Sequence, residues 1–176
     1  MEEKEFLEKH SGLVYNLALR LTGNAADAED LAQDSLIRAL KALKNFRGDS
    51  SPATWAYRIT VNTWKNRVRS EKRRAFWKTV SLGLYSGGEE DEGPQLAADE
   101  PPLDKDLETG ETGSLVQKAL LTLDEESRAV IVLREIEGQS YDEIAAALDV
   151  PVGTVKSRLF RARETLKEKL AKQFQP

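Results

Sequence analysis

Two short stretches of this chain gather cations, polar groups and aromatic rings at helical spacing. Both suit the binding of a polyanion better than the making or breaking of bonds. Residues 150–163, VPVGTVKSRLFRAR, carry Lys156, Arg158, Arg161 and Arg163 and no acid, in a chain whose formal net charge is −4. On a helical wheel Lys156, Ser157, Phe160, Arg161 and Glu164 share a face beside an apolar stripe of Val155, Leu159, Ala162, Leu166 and Leu170. Such a face offers cations for guanine edges or phosphates, a hydroxyl, and a ring for a thymine methyl. Gly153 and Thr154, at the start of the helix, bring backbone N–H groups near a phosphate. Lys156 and Arg158 do not serve the helix dipole, because they sit at its positive end.

The second stretch is residues 52–74. Arg58, Asn62, Lys65 and Arg69 make one basic stripe, with Asn66 and Arg73 beside it, while Trp55, Tyr57, Ile59, Val61, Trp64 and Val68 cover much of the remaining circumference. Cations next to aromatics suit single-stranded nucleic acid, whose bases both stack and hydrogen-bond. Trp55 is expected in the core, whereas for Trp64 core packing and base stacking both stand. The EKRR run at 71–74, with Lys78, extends the stripe toward a phosphate track.

Catalytic alternatives are thinly supplied. One histidine and no cysteine argue against a Ser-His-Asp arrangement, a zinc cluster and any thiolate chemistry. There is no Gly-rich phosphate loop and no convergent carboxylate pair, so neither an enzyme nor a metal or other cofactor is expected. His10 reads as a surface helix residue. No apolar run approaches the roughly 20 residues of a membrane span. The opening MEEKEFLEKH lacks an apolar signal region, so a cytoplasmic protein without membrane contact is expected.

The elements that must hold the two stretches are helices, and the fold class expected is all-α. Leu7, Val14, Leu17, Ala18 and Leu21 fall at helical spacing, and Gly23 ends that helix. Asn24 caps a second helix reaching about residue 46, with Asp27, Glu29 and Asp30 in its first turn. Ser51 and Pro52 open a third, expected to end near Arg74. Four more helices are expected at about 114–122, 125–136, 141–148 and 152–173, with a Ser140/Glu143 capping box and a turn at Asp149-Val150-Pro151. A short helix, a tight turn and a longer basic helix make a helix-turn-helix.

Charge divides the chain as well. Residues 1–85 hold 15 basic and 10 acidic side chains, 86–112 hold 1 and 10, and 113–176 hold 10 of each. The middle segment, rich in Gly, Pro and acids, cannot bury enough surface to offset chain entropy. It reads as a flexible acidic linker between two small helical domains, 1–85 and 113–176.

In that order, DLAQDS…FRGDS…TWAYRITVN and YDEIAAALDVPVGTVKSRLFRAR resemble regions 2 and 4 of bacterial RNA polymerase sigma factors. The chain is similar to the short extracytoplasmic-function (ECF) subgroup, which keeps only those two regions. The resemblance implies a promoter-specificity subunit with no catalytic activity, whose partners are core RNA polymerase, promoter DNA and an anti-sigma factor. Asp30, Leu31, Gln33, Asp34, Ile37 and Lys41 would dock on the polymerase. Arg58, Asn62, Lys65, Asn66, Arg69 and Arg73 would open and hold the −10 element, at a cost of a few kcal/mol for each base drawn from the stack. Gly153, Thr154, Lys156, Ser157, Arg158, Phe160 and Arg161 would read the −35 duplex. Leu123-Asp124 stands where many relatives have Leu-Pro, and the SSPA turn leaves the preferred −10 base open. An autonomous helix-turn-helix regulator is the alternative; it accounts for 140–163 but not for the stripe on 52–74.

Overall fold

The structure is a computed structural model that describes residues 2–85 and 111–173. It contains α1 (Glu3–Thr22), α2 (Ala25–Leu43), α3 (Pro52–Tyr85), α4 (Glu111–Leu121), α5 (Glu125–Ile131), α6 (Tyr141–Leu148) and α7 (Val152–Gln173). Among the described residues there is no strand. The segment expected as a linker, 86–112, lies outside the described residues up to position 110, and α4 opens at Glu111, three residues before the expected start.

Local chemistry sets most of the boundaries. Gly23 closes α1 in the left-handed region at φ 85°, and its N–H donates to the Leu19 carbonyl at 2.9 Å. The Asn24 side chain accepts the Asp27 N–H and caps α2. That helix stops at Leu43, short of residue 46, because the Asn45 and Phe46 N–H groups turn to carbonyls only three residues back. The turn brings the Phe46 ring to 5.0 Å from Trp55. Ser51 Oγ accepts the Thr54 N–H and starts α3.

The third helix departs most from expectation, running to Tyr85, well past Arg74. Apolar periodicity ends near Val68, but the residues that follow include Lys, Arg and Ala, which sustain a helix without a buried face.

In the C-terminal part the Asp124 side chain caps α5 through the Ser127 N–H. The expected 125–136 helix is α5 followed by one π-helical turn, Val132–Ile136. The Ser140/Glu143 capping box is formed in both directions. Asp149 then takes the left-handed conformation, φ 55°, and turns the chain into α7.

Phe6, Val14, Leu17, Leu21, Leu31, Val61 and Trp64 fill the core of α1–α3, with Phe6 taking the place expected for Leu7. Leu120, Ile131, Leu133, Ile144, Val155 and Leu159 fill that of α4–α7. The two cores are continuous, because α3 packs on α6 and α1 touches α4. Across this junction the Tyr57 hydroxyl donates to Glu137 Oε2 at 2.6 Å. Burial, reinforced by that carboxylate, holds the Tyr57 hydroxyl above the usual tyrosine range. Thr54 Oγ1 lies 2.9 Å from Gln139 Oε1 and 3.1 Å from Glu143 Oε1. Arg128 donates to the carbonyls of Leu120, Leu121 and Leu123 on its own side and to Leu21 O at the end of α1, 2.8 Å away.

Candidate nucleic-acid and polymerase interfaces

The helix-turn-helix presents most of the expected reading residues to solvent. Gly153, Lys156, Ser157, Phe160 and Arg161 are exposed on α7 and Thr154 is half-buried, while Val155, Leu159 and Ala162 are buried beneath them. Phe160 is 66% exposed, a large ring left uncovered beside two cations. Lys156 Nζ stands 5.7 Å from the Tyr141 ring centroid, a contact that steadies the ammonium without consuming a hydrogen bond. Arg158 differs from its neighbours. Its guanidinium is half-buried and paired with Glu126 of α5.

On α3 the stripe is outward as expected: Arg58, Asn62, Asn66, Arg69 and Arg73 are exposed. Lys65 is the exception, only 18% exposed along its side chain, with Nζ 2.7 Å from Glu126 Oε1. One carboxylate of α5 thus holds one cation from each basic face. Beside it Lys72 pairs with Glu125, which draws that carboxyl below its usual range. Lys65, Arg69, Arg73 and Phe76 line one wall of a cleft of about 380 Å³, with Glu125 and Glu126 opposite. Glu125 and Glu126 were not among the expected site residues, since nothing local in the sequence announces a partner 60 residues away.

The tryptophans are structural. Trp64 is 4% exposed, and the Arg128 guanidinium lies 5.6 Å from its ring centroid. Trp55 packs between Phe6 and Phe46. Among the described side chains the exposed aromatics of α3 lie beyond its expected end, at Phe76 and Trp77.

The polar face of α2 leaves Asp30, Gln33, Ile37 and Lys41 exposed, with Ile37 51% exposed. Leu31 is wholly buried, so it supports this face from the core and is not available to a partner as expected. Asp34 is half-covered and is held by Arg67, whose guanidinium also donates to the Asp30 carbonyl at 2.9 Å. Arg67 therefore fixes α2 against α3.

Known proteins share this pattern. The sequence profile of Sigma-70 region 2 matches residues 6–74, and that of Sigma-70 region 4 matches residues 114–166. The RNA polymerase sigma-H factor of Pseudomonas aeruginosa is 38% identical over 162 residues, covering 92% of this chain and 82% of that protein. The ECF RNA polymerase sigma-E factor of Salmonella typhimurium is 40% identical over 146 residues, covering 83% and 75%. The chain belongs to the ECF sigma factors. The fold agrees: the sigma factor RpoE of Bartonella quintana, solved in complex with the anti-sigma factor NepR, superposes with a TM-score of 0.72. That match is 27% identical and covers 96% of each chain. Against this background the region 2 match ends at Arg74, so the last turns of α3 in this sigma factor, with Phe76 and Trp77, lie outside it. Among its described residues no helix is long and apolar enough to cross a membrane.

Proposed function

We propose that this sigma factor binds core RNA polymerase through the exposed face of α2 and directs initiation at promoters by reading two DNA elements. The observation that carries the reading is the pair of outward basic faces, on α3 and α7, each seated over buried apolar residues of its own helix. Residues 113–176 act as the duplex reader: Lys156, Ser157, Phe160 and Arg161 meet base edges and phosphates of the −35 element, with Gly153 and Thr154 against the backbone. Residues 1–85 act as the melting module, where Arg58, Asn62, Asn66, Arg69 and Arg73 hold the unpaired −10 strand. Lys65 and Arg158 join these sets once Glu126 releases them. Bond-making belongs to the polymerase, and the sigma factor works beside it in the bacterial cytoplasm.

The packed arrangement does not serve both elements at once. Twenty-five base pairs separate positions −35 and −10 nominally, about 85 Å at 3.4 Å per pair. The longest element of the packed form, α3 with 34 residues, spans only about 51 Å at 1.5 Å per residue. Engagement therefore separates the two parts, and residues 86–110, extended, reach up to about 85 Å. An anti-sigma factor, as in the Bartonella complex, is the expected regulator.

Run-off transcription with bacterial core polymerase on a promoter library, with and without the chain, tests the reading. Transcripts from a subset sharing −35 and −10 sequences are expected. Duplex binding without any promoter-dependent transcript would return the autonomous regulator to favour.

A further inference from the structure

The final turns of α3 leave two large aromatic rings in water. Phe76 is 62% exposed and Trp77 63% exposed, with ring centroids 5.7 Å apart and planes at 73°, an edge-to-face pair. Full burial of one such side chain is worth about 1.5–3 kcal/mol, so leaving two adjacent rings uncovered is costly unless something covers them in use.

Their surroundings favour one kind of cover. Residues 69–78, RSEKRRAFWK, hold five cations, Arg69, Lys72, Arg73, Arg74 and Lys78, against the single acid Glu71. Phe76 lies three and seven residues after Arg73 and Arg69, and all three line the same cleft wall as Lys65. The basic stripe therefore leads directly to a ring. A partner helix lying in a groove would need apolar residues at those spacings, and cations stand there instead. Duplex DNA has no open base faces to offer, whereas an unpaired strand presents phosphates and bases together. From Asn62 to Phe76 the helix rises roughly 21 Å, the length of about six stacked nucleotides.

We propose that Phe76 and Trp77 form a stacking platform for one or two unpaired DNA bases whose phosphates track Arg69, Arg73, Arg74 and Lys78. This rests on the role in promoter melting given above and extends the strand track about two helical turns past Arg69. It also places base stacking on the two exposed rings, since Trp64 is buried in the core.

The test uses the chain assembled with core polymerase, in three forms: wild type, Phe76→Ala/Trp77→Ala, and the aromatic-preserving Phe76→Tyr/Trp77→Phe. Affinity is measured for a forked promoter probe with its non-template strand unpaired from the −10 element outward, and for the fully paired probe. The double alanine variant is expected to bind the fork at least five-fold more weakly and the duplex within two-fold of wild type. Its salt slope on the fork stays unchanged, because no phosphate contact is removed, and the aromatic-preserving variant recovers the lost affinity. Equal fork binding by the alanine variant and wild type overturns the platform, as does an equal loss on fork and duplex. Weaker assembly with core polymerase in the absence of DNA also overturns it, since the rings then serve a protein partner. Should the wild type itself show no preference for the fork, the melting role fails. A wild-type preference retained by the alanine variant sinks the platform alone.

Discussion

Replacing Glu126 by glutamine removes the charge that ties the two basic faces together while leaving the side chain's size nearly unchanged. The contact across the junction is the Lys65 Nζ to Glu126 Oε1 pair at 2.7 Å, with side chains 18% and 37% exposed. A pair so placed contributes about 1 kcal/mol, at the upper end for surface pairs. That corresponds to about a five-fold change in the ratio of packed to separated forms. Where a strand binds only the separated form, its apparent affinity scales with that form's population. The free Glu126→Gln chain should therefore bind an unpaired −10 strand up to about five-fold more tightly. Its salt dependence should steepen as Lys65 becomes available to phosphate, by about 0.7 in the logarithmic slope. Fluorescence anisotropy with a labelled oligonucleotide at several salt concentrations measures both effects. Glu135→Gln supplies the control, because Glu135 pairs with Arg163 inside residues 113–176 and spans no junction. Distance between labels on α2 and α7 should rise similarly in Lys65→Ala, Glu126→Gln and the double variant, since all three delete one contact. Strand affinity within two-fold of wild type for Glu126→Gln, or an equal gain for Glu135→Gln, would refute the reasoning.

Three further outcomes follow from other parts of the structure. Lys156→Ala or Arg161→Ala should weaken −35 duplex binding by roughly 1–3 kcal/mol where the side chain contacts a base, whereas Asn62→Ala should impair promoter opening and spare duplex binding, as footprinting and permanganate reactivity would report. Gly23→Ala should lower the unfolding free energy, measured by urea denaturation, by about 1–2 kcal/mol, since a side chain at φ 85° is strained and its Cβ would come within 2.7 Å of the Leu121 methyls. His10 is held below its usual pKa by burial and by Lys9, with Nδ1 buried and unpartnered, so the folded state favours the neutral ring. Stability should therefore fall as pH drops below about 6.5, the unfolded value, and a His10→Gln variant should lose that part of the acid sensitivity in a denaturation series.

What was legible in the sequence was what depends on near neighbours. Asn24, Ser51 and Ser140 cap helices where expected, because a cap is a hydrogen bond across three residues. The outward basic faces of α3 and α7 were legible for the same reason, since helical spacing alone decides which side chains stand together. Leu31 escaped because docking by resemblance carries no burial information. The last turns of α3 escaped because an exposed helix has no apolar period. The π-helical turn at Val132–Ile136 shows no periodic signal. The least legible feature was Glu126, whose function depends on a contact with Lys65 that only the packed fold creates.

Arg128 is oriented mainly by its own half of the chain before it reaches across the junction. Three of its four carbonyl partners, Leu120, Leu121 and Leu123, belong to its own half of the chain, and only Leu21 lies across the junction. An arginine side chain carries about 2 kcal/mol of rotamer entropy. Here that cost is met when residues 113–173 fold, so the guanidinium meets Leu21 already oriented. Closure then demands little new ordering of this side chain. Lysine in its place, a point charge on a flexible stem, would have to be ordered afresh at each encounter.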